Sequence, residues 1–218
     1  MIKLATSGLS PFGHRVEMTL HEKKLAFEKV EIDLGNKPDW FKNDSPLGKI
    51  PIFYDDNSNK ALFESIAICE YIDEKYPQNP LHPQDPHTKA WNRGWMEFCN
   101  NIIAAAFGLA FAADEKTMLN KKDELHGKMV ILQKYLTNKP YFNGDKLALI
   151  DIFFATTFTP LMLLESNYQI DIFGKNSVIS SYCANLNSLE SFSKIIPSNY
   201  EEIFKNLLIR KNSILLKK

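Results

Sequence analysis

Three short segments combine side chains and backbone in ways that could hold a small charged ligand. In Ser10-Pro11-Phe12-Gly13-His14-Arg15 a serine precedes a proline at the start of a helical pattern. Serine is a favoured helix N-cap, and proline suits the first helical position, where its missing N–H is not needed. The same geometry suits a thiolate. The free N–H groups and partial positive charge of a helix end stabilise it, and a serine hydroxyl can donate one more hydrogen bond. Both readings stay open. Gly48-Lys49-Ile50-Pro51-Ile52 places a proline at the entrance to a strand. In isolation that bond reads as a trans turn. Opposite the loop that carries Ser10, a cis Ile50–Pro51 bond would turn the N–H and C=O of Ile50 outward, where a peptide ligand pairs as an added strand. In Phe63-Glu64-Ser65-Ile66, Ser65 reads either as the plain N-cap of an apolar helix or as part of a binding site. As a site, Ser65 and the helix end would bind a carboxylate and Glu64 an ammonium, the two charges of a free amino-acid end.

These segments need elements to bring them together. Residues 2–5 and 27–32 read as strands, and residues 14–24 between them carry Val16, Met18 and Leu20 at near-helical spacing, a βαβ opening. A Pro-rich polar stretch follows. Residues 52–54 and 61–63 then read as a hairpin around the turn-forming Asp55, Asp56, Asn57, Ser58 and Asn59, and residues 65–76 as a helix. Pro77, Pro80, Pro83 and Pro86 mark an extended connector. Beyond it the pattern is helical: residues 88 to about 113, 116–136, 150–164, and shorter helices after Ser177 and Asn199. The expected organisation is an α/β domain at 1–78, a linker at 79–87 and an all-α helical domain at 88–218. Trp91, Trp95, Phe98 and Ile102 share one face of the first long helix, with Phe107 and Phe111 following, as core, subunit interface or apolar substrate wall.

Composition narrows the partners. Lys+Arg and Asp+Glu each total 26 in 218 residues, so nothing marks nucleic acid or an anionic membrane as the obligatory partner. The N-terminal apolar run is too short for a signal peptide, and no segment reads as the roughly 18 apolar residues of a membrane span. A cytoplasmic protein is expected. Cys69, Cys99 and Cys183 are odd in number and widely spaced, which fits free thiols and neither a disulfide framework nor a structural metal site.

Taken in order, Ser-Pro-Phe at 10–12, Asn36-Lys37-Pro38-Asp39-Trp40-Phe41, Ser45-Pro46-Leu47-Gly48-Lys49-Ile50-Pro51 and Glu64-Ser65 resemble the glutathione transferases. The N-terminal part resembles the omega class, and the likeness continues through residues 69–77 and 81–86, then reappears at 136–140 and 144–151. The resemblance implies a thioredoxin-like N-terminal domain followed by the all-helical domain, and a homodimer. Ser10 would face the glutathione sulfur as the catalytic residue. Phe12, Lys37, Ile50, Pro51, Glu64 and Ser65 would bind glutathione, Ile50 through its backbone ahead of cis-Pro51, Glu64 and Ser65 at the γ-glutamyl end, and Lys37 at the glycyl carboxylate. Glutathione would be a co-substrate, with no other cofactor and no metal, and its partner a small hydrophobic electrophile or a peroxide, as in detoxification.

Two positions depart from that family. Omega-class proteins have cysteine where Ser10 stands, whereas Ser-Pro-Phe is the tau-class pattern. Serine cannot form the mixed disulfide of thiol transfer, but it can stabilise a thiolate, and a shift of about 2 pKa units is worth roughly 2.7 kcal/mol. Ala148 stands where the family usually has Ser or Thr in a capping box, so Asp151 must find other partners. Two other classes stay open: an interaction protein on the same scaffold, as in the stringent starvation protein family, and a glutathione-dependent thiol transferase or reductase.

Overall fold

The computed structural model describes residues 1–56, 58, 60–174 and 177–217; Asn57 and Asn59 of the expected turn lie outside the described residues. Ile2–Thr6 (β1) is one of the two central strands of a four-stranded sheet. It runs parallel to Phe27–Glu31 (β2), with Leu4 opposite Lys29, and antiparallel to Ile52–Tyr54 (β3), with Leu4 opposite Phe53. Leu62–Phe63 (β4) completes the hairpin and forms an edge. The parallel β1–β2 pair requires a crossover helix, and Pro11–Glu22 (α1) supplies it, starting three residues before the helix read from periodicity.

Both faces of β1 are covered. Ile2 and Leu4 join Val16, Met18 and Leu20 of α1 and Ile68 and Ile72 of Ser65–Lys75 (α3), while Ala5 joins Ile32, Phe41 and Ile52 in a separate small cluster. Phe41 belongs to Asp39–Asp44 (α2), a helix that the polar stretch gave no sign of. Six residues are too few to show a period, and the one buried side chain, Phe41, is what docks it.

One cap differs from expectation. Ser65 is not the N-cap of α3; Glu64 is, since its carbonyl accepts the Ile68 N–H at 3.0 Å. Ser65 is the first helical residue, and its hydroxyl accepts from the Arg15 guanidinium at 3.4 Å. The shift comes from Glu64, whose backbone has φ 67° and ψ 115°.

The helical half comprises Pro86–Ala110 (α4), Glu115–Gln133 (α5), Leu149–Tyr168 (α6), Ser177–Asn187 (α7), Glu190–Ile195 (α8) and Tyr200–Arg210 (α9). Pro86 and His87, expected in the linker, are helical because Asp85 caps α4 by accepting the Thr88 N–H at 2.7 Å, with Pro86 at the first position. The connector is docked to its surroundings. Lys23 donates to the carbonyls of Tyr76, Gln78 and Asn79, and Asp73 accepts the N–H groups of Leu81 and His82. α6 is long and apolar enough, by length and composition, to cross a membrane, which corrects the reading that no segment was. Most of it is buried inside the protein against α1, α4 and α7. A helix surrounded on all sides is apolar on all sides.

Asp151 anchors the start of α6. Without a hydroxyl at Ala148, its carboxylate accepts the N–H groups of Phe142 and Ala148, each at 2.8 Å, and the Tyr182 hydroxyl at 2.6 Å. Burial pushes its carboxyl up to about 6, against the pull of these hydrogen bonds. Asp151→Ala would leave the Phe142 and Ala148 N–H groups and the Tyr182 hydroxyl without their acceptor, and urea unfolding should register a loss of about 3–5 kcal/mol. A loss under about 1 kcal/mol would mean that the network does not hold α6 in place.

Candidate active site

The site begins where α1 begins. Ser10 has extended backbone dihedrals, its carbonyl accepts the His14 N–H at 2.9 Å, and its Oγ accepts the Gly13 N–H at 3.1 Å. The cap reading therefore holds. It leaves the hydroxyl hydrogen free, because capping uses only the oxygen as an acceptor. The preceding loop is fixed by the Ser10 N–H to the Ser7 carbonyl at 2.9 Å and the Gly8 N–H to Glu31 at 2.6 Å.

The Ile50–Pro51 bond is cis. A tight turn sets it in place: Gly48, at φ +60°, donates to the Ser45 carbonyl at 2.9 Å. Ser45 Oγ accepts the Lys49 N–H at 2.9 Å and donates to the Lys49 carbonyl at 2.8 Å. Ladder pairing on β3 starts at Ile52, so Ile50 lies ahead of it.

Two cavities meet here. The smaller, about 220 Å³, is lined by Phe12, Lys49, Ile50, Pro51, Glu64 and Ser65, together with Ser45, Leu47 and Phe63. The larger, about 400 Å³, includes Ser10, Phe12, Lys37, Lys49 and Ile50. Phe12, Lys49 and Ile50 line both. Ser10, Phe12, Lys37, Ile50, Pro51, Glu64 and Ser65 thus each lie on one or other wall of a continuous site. The first long helix divides its stripe: Trp95 and Ile102 are core, whereas Phe107 and Phe111 line the larger cavity.

Arg15 has no counterpart in the sequence reading. Its guanidinium is completely buried, donates to Asn100 Oδ1 at 2.6 Å, reaches Ser65 and Thr157 at 3.4 Å, and lies 4.2 Å from the centre of the Phe153 ring. Burial pulls its pKa down to about 10, so it stays charged at neutral pH. It therefore places a cation directly beneath Ser65. An arginine inside a buried helix face was the available signal.

Four other groups are set aside by their surroundings. His14, adjacent to the motif, is buried against Tyr200, and burial pushes its pKa down to about 4; it lines neither cavity. Cys69, Cys99 and Cys183 are all buried, and burial pushes their thiols up to about 12. A thiolate at this site has to come from a ligand.

The chain is similar to known proteins in sequence and in fold. Residues 4–80 match the family described as Glutathione S-transferase, N-terminal domain. The chain is 31% identical over 173 residues to glutathione S-transferase omega-1 of Sus scrofa, spanning 78% of this chain and 71% of that protein. It is 30% identical over 207 residues to glutathione S-transferase U1 of Arabidopsis thaliana, spanning 93% and 91%. Its fold is similar to that of the tau class glutathione S-transferase of mango, Mangifera indica, with a TM-score of 0.85 at 24% identity over 95% of this chain and 98% of that one. A rice enzyme solved in complex with glutathione gives a TM-score of 0.81 at 22% identity over 96% of each chain. The likeness in sequence to both omega and tau proteins agrees with an omega-like N-terminal segment that carries serine at position 10, and the chain belongs to the glutathione S-transferase family of enzymes.

Proposed function

We propose that this enzyme binds glutathione across the two cavities, holds its sulfur as a thiolate at Ser10, and directs it onto an apolar electrophile in the larger one. The observation that carries this reading is the Ser10 hydroxyl, which accepts from Gly13 at a helix N-terminus and keeps its own hydrogen to donate. A hydroxyl that already accepts a hydrogen bond is a better donor. In the smaller cavity Glu64 would meet the ammonium of the γ-glutamyl end. The Ser65 N–H and hydroxyl would meet its carboxylate, with the Arg15 charge behind them. The Ile50 backbone would pair with the cysteinyl unit, and Lys37 and Lys49 would take the glycyl carboxylate. The thiol proton leaves to solvent, the sulfur forms a bond to the electrophilic carbon, and the leaving group departs. The apolar lining of the larger cavity by Leu9, Leu34, Phe107, Phe111 and Leu207 favours a carbon electrophile over a small peroxide. Thiol transfer is opposed by the burial of every cysteine.

A homodimer is part of the proposal. Phe63 on the edge strand, and Trp91 with Tyr135 at a centroid distance of 5.8 Å, leave large rings open to solvent. Such rings are common at subunit contacts. Light scattering on the eluting peak should give twice the chain mass, and the mass of a single chain would remove the dimer.

Glu64 offers a test that separates binding from folding. Its positive φ costs of the order of 1 kcal/mol, which glycine avoids. Glu64→Gly should hold or raise the unfolding midpoint and still weaken glutathione binding by about 1–3 kcal/mol in calorimetric titration. Unchanged affinity would take Glu64 out of the site.

Ser10 carries the chemistry. Ser10→Ala should slow conjugation of an activated aryl halide about 10- to 100-fold, the worth of one directed hydrogen bond in the transition state. Ser10→Cys should form a mixed disulfide with glutathione, visible by mass, and gain thiol-transfer activity. An unchanged rate in Ser10→Ala would reduce Ser10 to a helix cap.

A further inference from the structure

The larger cavity contains a cation that the binding of glutathione does not use. Lys211, at the C-terminal cap of α9, lines it beside Leu207, Phe107 and Phe111. Its ammonium lies 5.5 Å from the centre of the Phe111 ring, which stacks on Phe107 with centroids 5.4 Å apart and planes inclined by 28°. Lys49 lines both cavities, and Lys37 lies close to Gly48, so these two serve the glutathione side; Lys211 lines only the larger cavity. Among the described residues no carboxylate side chain lines that cavity and the Lys211 ammonium has no ion-pair partner.

We propose that the electrophile accepted by this enzyme carries a carboxylate next to a flat apolar body, and that Lys211 selects it. The inference rests on the glutathione-conjugating reading above. An ammonium lying on one ring face at an exposed position is weakly held. Its stem can cover the apolar wall while the charged head stays in water, open to the stronger charge-assisted bond to a carboxylate. The stacked Phe107–Phe111 pair presents a surface for an electron-poor ring, which packs in an offset arrangement. In the reaction used as a test, the glutathione thiolate adds to the β-carbon of an α,β-unsaturated ketone. The sulfur lone pair becomes the new C–S bond, the displaced π pair moves onto the enolate, and water supplies the proton to the α-carbon. No oxidant is needed.

The matched probes are an aryl α,β-unsaturated ketone bearing an oxyacetic acid group and its methyl ester, which share the reacting carbon and differ in charge. Both are assayed on the same preparation, so partial unfolding cancels in the ratio of their kcat/KM values. The wild type should favour the acid. Lys211→Met, which keeps an apolar stem, should lower the acid-to-ester ratio about two- to fivefold, the size of one partly exposed charge contact. Lys211→Glu should lower it further, Lys211→Arg should preserve it, and added salt should erode it. An acid-to-ester ratio that is the same in wild type, Lys211→Met and Lys211→Glu would overturn the proposal and leave Lys211 as a cation at a helix C-terminus. A wild type that conjugates neither probe nor a neutral activated aryl halide would instead overturn the transferase reading on which this one stands.

Discussion

The close approach of α1 to β1 decides where everything else in the site can be. A Cβ built on Gly13 would fall 1.7 Å from Thr6 Oγ1, so only glycine allows the first turn of the helix to lie this near the strand. Pro11 occupies the first helical position and Ser10 caps the end, and the same short segment therefore fixes the hydroxyl that faces the larger cavity. One turn further on, the same rigid helix carries Arg15 inward to the start of α3. A single element thus positions both the thiolate end of the site and the buried charge behind its carboxylate end.

The electrostatics of the site differ from those of the chain as a whole. The formal net charge is +0, yet on the glutathione side the walls of the two cavities carry Lys37 and Lys49 against one carboxylate, Glu64, with Arg15 buried behind Ser65. That pattern complements a ligand with more negative than positive groups, and glutathione as a thiolate is such a ligand. Low-dielectric walls such as Phe12, Phe107 and Phe111 strengthen the field that these charges exert.

Much of this was legible in the sequence because it is local. Ser10-Pro11, Ile50-Pro51 and Glu64-Ser65 each declare themselves within a few residues, and the strand and helix patterns in the first 76 residues correspond to the observed β1, α1, β2, the β3–β4 hairpin and α3. What escaped was decided by tertiary contacts. The docking of α2 depends on Phe41 meeting Ala5, Ile32 and Ile52, residues far apart in the chain. The cap of α3 moved by one residue because Glu64 takes a backbone conformation that an isolated glutamate avoids. α6 has the composition of a membrane helix because it is the centre of a core, a distinction that composition cannot draw. Arg15 and Lys211 carry no motif, and their surroundings exist only once α1, α4, α6 and α9 have assembled.

The start of α1 is proposed to hold the sulfur of glutathione as a thiolate through Ser10, and the ionisation of the bound thiol tests this most directly. Titrating the ultraviolet absorbance of the thiolate against pH, in the wild type saturated with glutathione, should give a midpoint about 2 units below that of the free thiol. In Ser10→Ala the midpoint should move most of the way back. A wild-type midpoint equal to that of free glutathione, or one that Ser10→Ala does not shift, would contradict the account.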